Sequence, residues 1–331
     1  MPMEIIPKRT LQVYSGRGHR PLAEQVVENL GIELGDANLV DFPSGELNCR
    51  LGENVRGADV FILQTHSNTP EQSVNDAIME QLIMIDAAKR ASAKRITAVM
   101  PYYGYARQDR KSKGREPITA KLVADLFSAA GADRLMSVDL HSSQIQGFFD
   151  GPVDHLTASN VLLDHLKSQA SGDYVIVAPD TGRTKVAEQA AKRVGVDMAA
   201  VYKRRDKDVM GSVEARGVMG EEAVAGKLCV VIDDMIDTAS TICAAADVLL
   251  DRGATEVWAM ATHGVLSGPA VDRLKNSRIA KLVVTDTLPI PSEKQLETLE
   301  VVSIAPLLAA AIDAVFEDRS VSEIFGGNNQ S

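Results

Sequence analysis

Short hydrophobic runs rich in β-branched residues alternate along this chain with longer segments whose apolar residues recur every three or four positions. A short apolar run predicts a buried strand, whereas the three-to-four-residue repeat predicts an amphipathic helix. The alternation predicts parallel sheets covered by helices on both faces. Strands are predicted at 11–14, 60–64, 96–100, 134–140, 174–178, 198–202, 228–234, 256–263 and 281–285, and helices at 74–90, 118–130, 185–194 and 241–252.

The pattern extends over two ordinary domain lengths, because the chain has 331 residues and a typical domain has about 100–200. An aromatic turn with the sequence GFFDGPVD, at 147–154, supplies a seam between the halves. We therefore predict two doubly wound α/β domains, at 10–155 and 156–325. The apolar stretch at 301–312 contains a proline and is shorter than the roughly 20 residues of a membrane span. It predicts a buried strand that leads into a helix.

The charge of the chain argues against two broad functions. A formal net charge of −10 and a pI near 5.2 do not suit a general binder of nucleic acids or anionic membranes, because both are bound mainly by clustered Lys and Arg. The three cysteines, Cys49, Cys229 and Cys243, lie far apart, which is typical of core residues in a reducing compartment. We recognise no secretory signal at the N-terminus and expect a cytoplasmic protein.

The stretch VVIDDMIDTAST, at 230–241, is the strongest candidate for chemistry. Ligands of parallel sheets bind at the carboxyl ends of strands, where helix N-termini gather. Asp233 and Asp234 close a predicted strand and offer acceptors for paired hydroxyls such as those of a ribose. The start of the next helix suits a phosphate monoester. It consists of Asp237, Thr238, Ala239, Ser240 and Thr241.

A simpler interpretation of this stretch is that Thr238 and Ser240 cap the helix. Capping accounts for one hydroxyl and leaves the acids unexplained. Two other stretches resemble nucleotide motifs but fail in detail. GRGHRP, at 16–21, lacks the third glycine of a dinucleotide fingerprint, and GEEAVAGKL, at 220–228, has the wrong glycine spacing for a P-loop.

Five motifs follow one another in a fixed order along the chain. They are MPYYGYARQDRK (100–111), VDLHSSQIQGFFDGPVDH (138–155), VAPDTGR (177–183), VYKRRD (201–206) and the stretch at 230–241. Together they resemble class I ribose-phosphate pyrophosphokinases, which are built from two domains of the type I phosphoribosyltransferase fold. The resemblance extends from about Leu11 to Phe325. It implies transfer of the diphosphoryl group of ATP to the 1-hydroxyl of ribose 5-phosphate, with AMP as the second product, for nucleotide, histidine and tryptophan biosynthesis.

The resemblance implies that the second domain binds ribose 5-phosphate. The turn at 237–241 would hold the 5-phosphate, and Asp233 would bind the ribose hydroxyls with the help of Asp234. The family usually has a glycine pair in this turn, where this chain has Ala239 and Ser240. Glycine permits close phosphate approach and unusual dihedral angles, so weaker affinity for ribose 5-phosphate is expected.

ATP is the other implied substrate, with contacts from Arg107 and Gln108. The alternative is that these residues belong to a solvated basic loop, because four further Lys and Arg residues follow closely. An adenine-binding turn, which in this family often comes from the neighbouring subunit, matches Phe42, Ser44, Gly45 and Glu46. Ser44 departs from the family, which commonly has Asp or Asn at this position.

Catalysis in this family requires a lysine and an arginine that match Lys203 and Arg205, on a flap that runs toward Val218. Arg205 is also expected to contact ribose 5-phosphate. Their implied task is to stabilise charge on the transferring diphosphoryl group, and closure of the flap would keep water from ATP. Arg204 is interpreted as a solvated residue.

A magnesium (Mg2+) cofactor is also implied, with His141 as a ligand and Asp180 near the metal. Asp139 precedes His141 by two residues, and on an extended segment their side chains would project the same way. Histidine is an unusual magnesium ligand and is more often structural at a strand end. The surrounding match to DLHSSQIQGFFD favours the ligand, whereas Asp150 and Asp154 are interpreted as turn formers.

The family resemblance further implies a homo-oligomer, a hexamer built from dimers. Phosphate would activate it and ADP would inhibit it at a site between subunits. Arg56, Ser320 and Ser322 match positions of that site, while Asn54 replaces a usual serine.

Two other functions share parts of this pattern. A base-salvage phosphoribosyltransferase has the same phosphate turn but consumes phosphoribosyl diphosphate, and the doubled length and the ARQDR segment argue against it. A catalytically silent regulatory subunit would keep the fold. An active enzyme is favoured, because Lys203, Arg205, His141 and Asp233 are all present.

Overall fold

A computed structural model describes residues 9–204 and 215–325 of the chain. Within this part, the chain forms two compact units. The first contains the described residues of Met1–Thr157 and Ala305–Gln330, and the second contains Ala158–Ile304.

The first unit is built on a five-stranded parallel sheet. Every residue of one central strand, Asp59–Leu63, is buried, so both faces of this sheet are covered. A separate antiparallel hairpin consists of β2 (Ala37–Asp41) and β3 (Leu47–Leu51). The spatial order of the parallel strands is β1 (Leu11–Ser15), β4 (Asp59–Leu63), β5 (Arg95–Met100), β6 (Arg134–Val138) and β7 (Val153–Leu156).

Helices α2 (Val74–Arg90) and α3 (Thr119–Ala130) pack on one face of this sheet, where they share a core with alternate residues of β4 and β5. Helices α1 (Arg20–Leu30) and α8 (Ala305–Phe316) pack against each other. The sequence predicts 156–325 as one domain, but this contact places α8 in the first unit. The apolar run that predicts α8 indicates burial without indicating the partner.

The second unit contains a seven-stranded sheet in which neighbouring strands run parallel, except for β9 and β10. The chain passes from β8 to β9 on one side and from β11 to β12 on the other, so the strand order reverses between β8 and β11. The crevice at such a reversal is where ligands bind. The spatial order is β10 (Ala215–Met219), β9 (Met198–Arg204), β8 (Tyr174–Ala178), β11 (Leu228–Ile236), β12 (Glu256–Gly264), β13 (Lys281–Thr285) and β14 (Leu299–Val302).

Helices cover both faces of this second sheet. Val230 of β11 joins the core formed with two helices, and its neighbour Val231 joins the core formed with two others, because successive strand residues point to opposite faces. The first pair is α4 (Ser159–Gln169) and α5 (Thr184–Val194), and the second is α6 (Ser240–Asp251) and α7 (Ala270–Lys275).

The prediction of two units with parallel sheets is confirmed, and each predicted strand and helix lies within two residues of an observed element at both ends. The strand and helix expected at 301–312 are β14 and α8. The hairpin of β2 and β3 is absent from the prediction. Its residues alternate between exposed and half-buried, so it lacks the continuous apolar run that marks a buried strand.

The cysteines occupy the positions expected of core residues. Cys229 is fully buried, and Cys49 and Cys243 are half-buried against the cores of the first and second units. In the described part of the chain, no helix combines the length and apolar character needed to cross a membrane.

Candidate active site

Asp233 and Asp234 lie near the carboxyl end of β11, beside the reversal of strand order. β11 pairs with β8 only as far as Val231, which lies opposite Val177, but it stays paired with β12 through Ile236. Beyond Val231, the loop that follows β8 takes the place beside β11. The structure therefore brings this loop and the acid pair together.

The guanidinium group of Arg183, in that loop, pairs with both carboxylates. Its Nε lies 3.0 Å from Oδ1 of Asp233, and its Nη2 lies 2.5 Å from Oδ2 of Asp234. All three side chains are largely buried, with 18%, 15% and 8% of their surface exposed, respectively. Sequence reasoning missed Arg183, although it ends the VAPDTGR motif. The available signal was the acid pair itself, because neighbouring buried carboxylates require a cation.

The environment of the acid pair shifts its ionisation. Burial raises the pKa of Asp233 above its ordinary value, the neighbouring Asp234 raises it further, and Arg183 opposes the shift. The backbone also holds the two side chains in place. The N–H of Asp234 donates to Oδ1 of Asp233 at 2.8 Å, and the N–H of Met235 donates to Oδ1 of Asp234 at 2.9 Å.

Helix α6 begins within the predicted phosphate turn. Its N-cap residue is Ala239, which adopts the left-handed region with φ +60° and ψ 5°. Alanine has no side-chain oxygen, and no side-chain hydrogen bond caps this helix. The interpretation of Thr238 and Ser240 as helix caps is therefore wrong. The first N–H groups of a helix have no intrahelical partner, and together they attract an anion.

Contacts from the rest of the second unit fix this turn. The Ser267 hydroxyl donates to the Asp237 carboxylate, and the Ser267 N–H donates to the Asp237 carbonyl at 2.9 Å. Nη1 of Arg273 donates to the Thr238 carbonyl at 2.9 Å. The hydroxyl oxygens of Thr238 and Ser240 lie 3.3 Å apart. The turn thus combines two hydroxyls, a basic side chain and a helix N-terminus.

Asp180 shapes the loop that carries Arg183. It is the N-cap of a short 3-10 helix, Thr181–Arg183, and its Oδ1 accepts a hydrogen bond from the Gly182 N–H at 2.8 Å. Asp180 is exposed, whereas Arg183 at the other end of this helix is largely buried. The loop therefore presents an acid at the surface and a cation to the acid pair.

The backbone of Lys203 and Arg204 lies at the end of β9. β9 pairs antiparallel with β10, with Lys203 opposite Arg216 and Val201 opposite Val218. β9 is also the neighbour of β8, so Lys203 lies on the strand next to the one whose loop carries Arg183. Arg205 lies outside the described residues, as does the part of the predicted flap at 205–214.

Arg107 and Gln108 are exposed in the loop between β5 and α3 of the first unit. Oε1 of Gln108 accepts a hydrogen bond from Oγ1 of Thr119 at 2.6 Å, and the Gln108 N–H donates to the Tyr105 carbonyl at 2.8 Å. The loop is thus ordered around Gln108, and its basic residues are exposed. The exposed ones that follow are Arg110, Lys111, Lys113 and Arg115.

His66 holds the start of this loop, and sequence reasoning missed it. Its buried Nδ1 accepts a hydrogen bond from the Gly104 N–H at 3.0 Å, and its Nε2 lies 2.9 Å from Oε1 of Gln81. Burial lowers the pKa of His66 to about 4, so the ring is neutral at physiological pH. A Cβ at Gly104 would lie 2.8 Å from the Cβ of His66, which explains the glycine.

The predicted adenine-binding residues form the turn of the hairpin between β2 and β3. The Phe42 N–H donates to the Glu46 carbonyl and the Gly45 N–H to the Phe42 carbonyl, both at 2.8 Å. Gly45 has φ +87°, where glycine is favoured. Ser44 Oγ donates to the Glu46 carboxylate at 2.8 Å. Phe42 is 48% exposed, so the tip offers an aromatic face beside a carboxylate.

The segment after β6 differs from the prediction. β6 ends at Val138, and Asp139 has φ +39°, so the segment is not extended. The extended segment on which Asp139 and His141 would project the same way is therefore not formed at Asp139. Asp154 is not a turn former either, because it lies within β7 and accepts a hydrogen bond from Nη1 of Arg134 at 2.8 Å.

No group of three or more His, Cys, Asp or Glu side chains that could hold a metal is found among residues 9–204 and 215–325. His141 is half-buried in the first unit, and Asp180 and Asp150 are exposed. Magnesium is usually bound through one or two carboxylates together with substrate phosphates and water. The exposed carboxylates of Asp180 and Asp150 are ligands of the type that such an ion uses.

The predicted effector residues Arg56, Ser320 and Ser322 belong to the first unit. The hydroxyl oxygens of Ser320 and Ser322 lie 2.8 Å apart near the surface. Oδ1 of Asn54 accepts a hydrogen bond from the Arg56 N–H at 3.0 Å. Asn54 therefore closes a local turn at the position where a serine was expected.

The parallel sheets, the reversal of strand order and the turn at the start of α6 define an α/β protein of the phosphoribosyltransferase type. Family models match in both halves. Residues 11–131 match the N-terminal domain of ribose phosphate pyrophosphokinase, and residues 216–326 match the phosphoribosyl synthetase-associated domain.

Individual relatives match over nearly the full chain. A ribose-phosphate pyrophosphokinase of Streptomyces avermitilis is 52% identical over 319 residues, 96% of this chain and 97% of the relative. One of Bifidobacterium longum is 55% identical over 323 residues, 96% of this chain and 93% of the relative. The crystal structure of phosphoribosylpyrophosphate synthetase from Mycobacterium smegmatis is 50% identical, with a TM-score of 0.86, and the match covers 93% of this chain and 99% of that one. The chain belongs to the ribose-phosphate pyrophosphokinase family of enzymes.

The left-handed Ala239 generates a prediction about stability. A non-glycine residue in this region destabilises the folded state by about 1–2 kcal/mol. Glycine removes that strain, but it also increases the entropy of the unfolded chain, which lowers the free energy of unfolding by about 0.4–1 kcal/mol. We expect Ala239→Gly to leave the free energy of unfolding unchanged or to raise it by up to about 1.6 kcal/mol.

Ala245→Gly, in the interior of α6, is the matched control and should lower the free energy of unfolding by about 1 kcal/mol or more. Denaturant unfolding of both variants measures the difference. Equal losses would contradict the strain assigned to Ala239.

Proposed function

We propose that this enzyme transfers the diphosphoryl group of ATP to the 1-hydroxyl of ribose 5-phosphate. The oxygen of that hydroxyl forms a bond to the β-phosphorus, the bond between this phosphorus and the bridging α,β-oxygen breaks, and AMP leaves. The hydroxyl proton is released. The products are phosphoribosyl diphosphate and AMP. The observation that carries this proposal is the pairing of Asp233 and Asp234 with Arg183 beside the turn at 237–241.

The sugar phosphate is assigned to the second unit. The 5-phosphate suits the start of α6, where the hydroxyls of Thr238 and Ser240 and the basic Arg273 lie at a helix N-terminus. The ribose hydroxyls are assigned to Asp233 and Asp234, whose carboxylates Arg183 contacts and orients. Carboxylates accept from hydroxyls more strongly than neutral groups do. Binding the sugar by these groups would leave the anomeric hydroxyl for the reaction.

ATP is assigned to residues of the first unit. Arg107 supplies a positive charge for the phosphates, and Gln108, in an ordered loop, supplies hydrogen bonds. The exposed aromatic ring of Phe42 offers a stacking surface for adenine, and Glu46 offers an acceptor for its amino group. The hydroxyl of Ser44 donates to Glu46, which supports the orientation of that carboxylate.

We assign magnesium as the cofactor, held by His141 and Asp180 together with substrate phosphates. The ion would neutralise charge on the β- and γ-phosphates. Asp180 already uses one carboxylate oxygen to fix the loop that carries Arg183, and its exposed side chain has a second oxygen. Binding at Asp180 would therefore act on the same loop as the ribose site.

Lys203 and Arg205 are assigned to catalysis. Charge moves to the bridging oxygen as AMP departs, so a lysine next to that oxygen contributes most in the transition state. The position of Lys203 at the end of β9, next to β8, supports this assignment. Arg205 would also bind the phosphate of the sugar.

The proposed setting of this enzyme is the cytoplasm, as a hexamer that phosphate activates and ADP inhibits. Arg56, Ser320 and Ser322 are the candidate effector residues. The net charge of −10 disfavours a nucleic-acid partner, so the anionic substrates are assigned to local basic groups. The products would serve nucleotide, histidine and tryptophan biosynthesis.

The reaction itself is tested by product analysis. With magnesium, ATP and ribose 5-phosphate, we expect equal amounts of AMP and phosphoribosyl diphosphate, and no AMP when ribose 5-phosphate is omitted. Chromatography of nucleotides and phosphorus NMR measure both products. Release of diphosphate from phosphoribosyl diphosphate with a free base would instead identify a salvage transferase. A chain that binds both substrates without turnover would identify a silent subunit.

The assignment of the ribose hydroxyls is tested with Asp233→Asn. The amide is a weaker acceptor, and a hydrogen bond to a charged group is worth about 1.5–3 kcal/mol, so the KM for ribose 5-phosphate should rise about 10- to 100-fold. The KM for ATP should change much less. Asp251→Asn, which removes an exposed partner of Arg278 elsewhere in the second unit, is the control and should leave both constants unchanged. Equal increases for both substrates would indicate a collapsed loop.

The assignment of Lys203 is tested with Lys203→Ala. We expect turnover at saturating substrates to fall about 100-fold or more, the effect of removing one preorganised transition-state donor. Substrate binding should stay nearly intact. Arg204→Ala is the neighbouring control and should stay near normal. Single-turnover AMP formation measures both, and normal turnover of Lys203→Ala would refute the assignment.

A further inference from the structure

The stretch GRGHRP, rejected as a nucleotide motif, forms a tightly packed loop after β1. The Gly18 N–H donates to Oε1 of the buried Gln64 at 2.8 Å. A Cβ at Gly16 would lie 2.5 Å from Cδ of Gln64, and one at Gly18 would lie 2.6 Å from the carbonyl oxygen of Thr65. The two glycines therefore serve close packing, and they fix the backbone of Arg17 between them.

Arg17 is one partner of a fully buried carboxylate. Glu80, on α2, has no exposed side-chain surface. Its Oε1 accepts hydrogen bonds from the Arg17 N–H and from Nε2 of Gln64, both at 2.7 Å, and its Oε2 accepts from Nε of Arg17 at 2.6 Å. A buried charge with this many donors holds them rigidly, because each lost bond leaves charge without compensation.

The outer edge of the same guanidinium reaches the hairpin. Nη1 and Nη2 of Arg17 donate to Oδ2 and Oδ1 of Asp41 at 2.5 and 2.9 Å. This is a bidentate pair, which fixes the orientation of the carboxylate relative to the guanidinium as well as the distance between them. The pairing also lowers the pKa of the Asp41 carboxyl below its ordinary value. Arg17 therefore connects a buried anion on α2 to the end of β2.

The hairpin needs such a connection near its tip. Its base is anchored, because Leu39, Cys49 and Leu51 pack against the core of the first unit. The outer part of the hairpin does not pack against this core, because Val40 is 44% exposed and Phe42 is 48% exposed. Asp41 lies between these two residues, immediately before the turn.

We propose that Arg17 is a positioning residue for ATP, which holds the turn at 42–46 in place through Asp41 from the buried Glu80. The inference rests on the adenine-binding role given above to this turn. Arg17 itself does not touch adenine in this scheme. It acts by reducing the conformational freedom that the turn would lose on binding adenine.

A purely structural role of Arg17 predicts a different result. Removing Arg17 leaves Glu80 buried without its cation, which destabilises the unit whatever the hairpin does. Asp41 separates the two roles, because Asp41→Asn breaks the connection to the hairpin and leaves the pairing of Arg17 with Glu80 intact. Arg17→Lys is the second variant, because a lysine offers a single charged group and cannot serve both carboxylates.

The experiment measures KM values and hydrogen exchange in the full-length enzyme. In Asp41→Asn, we expect the KM for ATP to rise about 2- to 5-fold, the effect of one exposed ion pair, with turnover, the KM for ribose 5-phosphate and the unfolding midpoint unchanged. Amides at 42–48 should exchange faster without substrate. Arg17→Lys should raise the KM for ATP by at least as much. Asp86→Asn, which breaks an exposed pair with Arg90 on the same helix as Glu80, should change none of these.

Phe42→Ala tests separately whether the turn at 42–46 binds adenine, which is the assignment on which the role of Arg17 rests. If Phe42→Ala raises the KM for ATP while Asp41→Asn leaves both that KM and the exchange at 42–48 as in the parent, Arg17 is structural and the inference is overturned. If Phe42→Ala leaves the KM for ATP unchanged, the adenine-binding role of the turn fails, and the inference fails with it.

Discussion

Two neighbouring carboxylates and one guanidinium group organise the crevice of the second unit. Asp233 and Asp234 lie where β11 has lost its pairing with β8, and Arg183 fills that place with a cation that contacts both. Burial and the neighbouring Asp234 raise the pKa of Asp233, and Arg183 opposes that shift. The loop after β8 must therefore adopt the shape that presents Arg183, and Asp180 stabilises that shape through Gly182.

Backbone strain appears at the next element along the chain. Ala239 adopts a left-handed conformation that glycine would adopt without cost, and the neighbouring segments hold it there through Ser267 and Arg273. The result is a helix that starts without a side-chain cap. An uncapped start is expected where the helix binds an anion instead.

The first unit also anchors surface segments to buried polar groups. Glu80 holds Arg17, and the neutral ring of His66 holds the loop that leads to Arg107 and Gln108. In both cases a buried polar group holds an exposed segment through hydrogen bonds to its backbone. Exposed segments with candidate substrate contacts are thereby attached to the rigid core.

The sequence alone determined the α/β class, the positions of the buried strands and the acids at the end of β11, because these depend on local periodicity and on the chain order of polar residues. Tertiary structure decided which segments that are distant in sequence contact each other. The apolar pattern of α8 could not indicate that it packs on α1, and nothing local paired Arg183 with Asp233. The extended geometry predicted for Asp139 also failed, since its φ is +39° and its N–H donates to the carbonyl of the distant Leu156 at 2.8 Å. Burial can be inferred from a periodic pattern, whereas a partner distant in sequence is selected by the shape and charge of the assembled core.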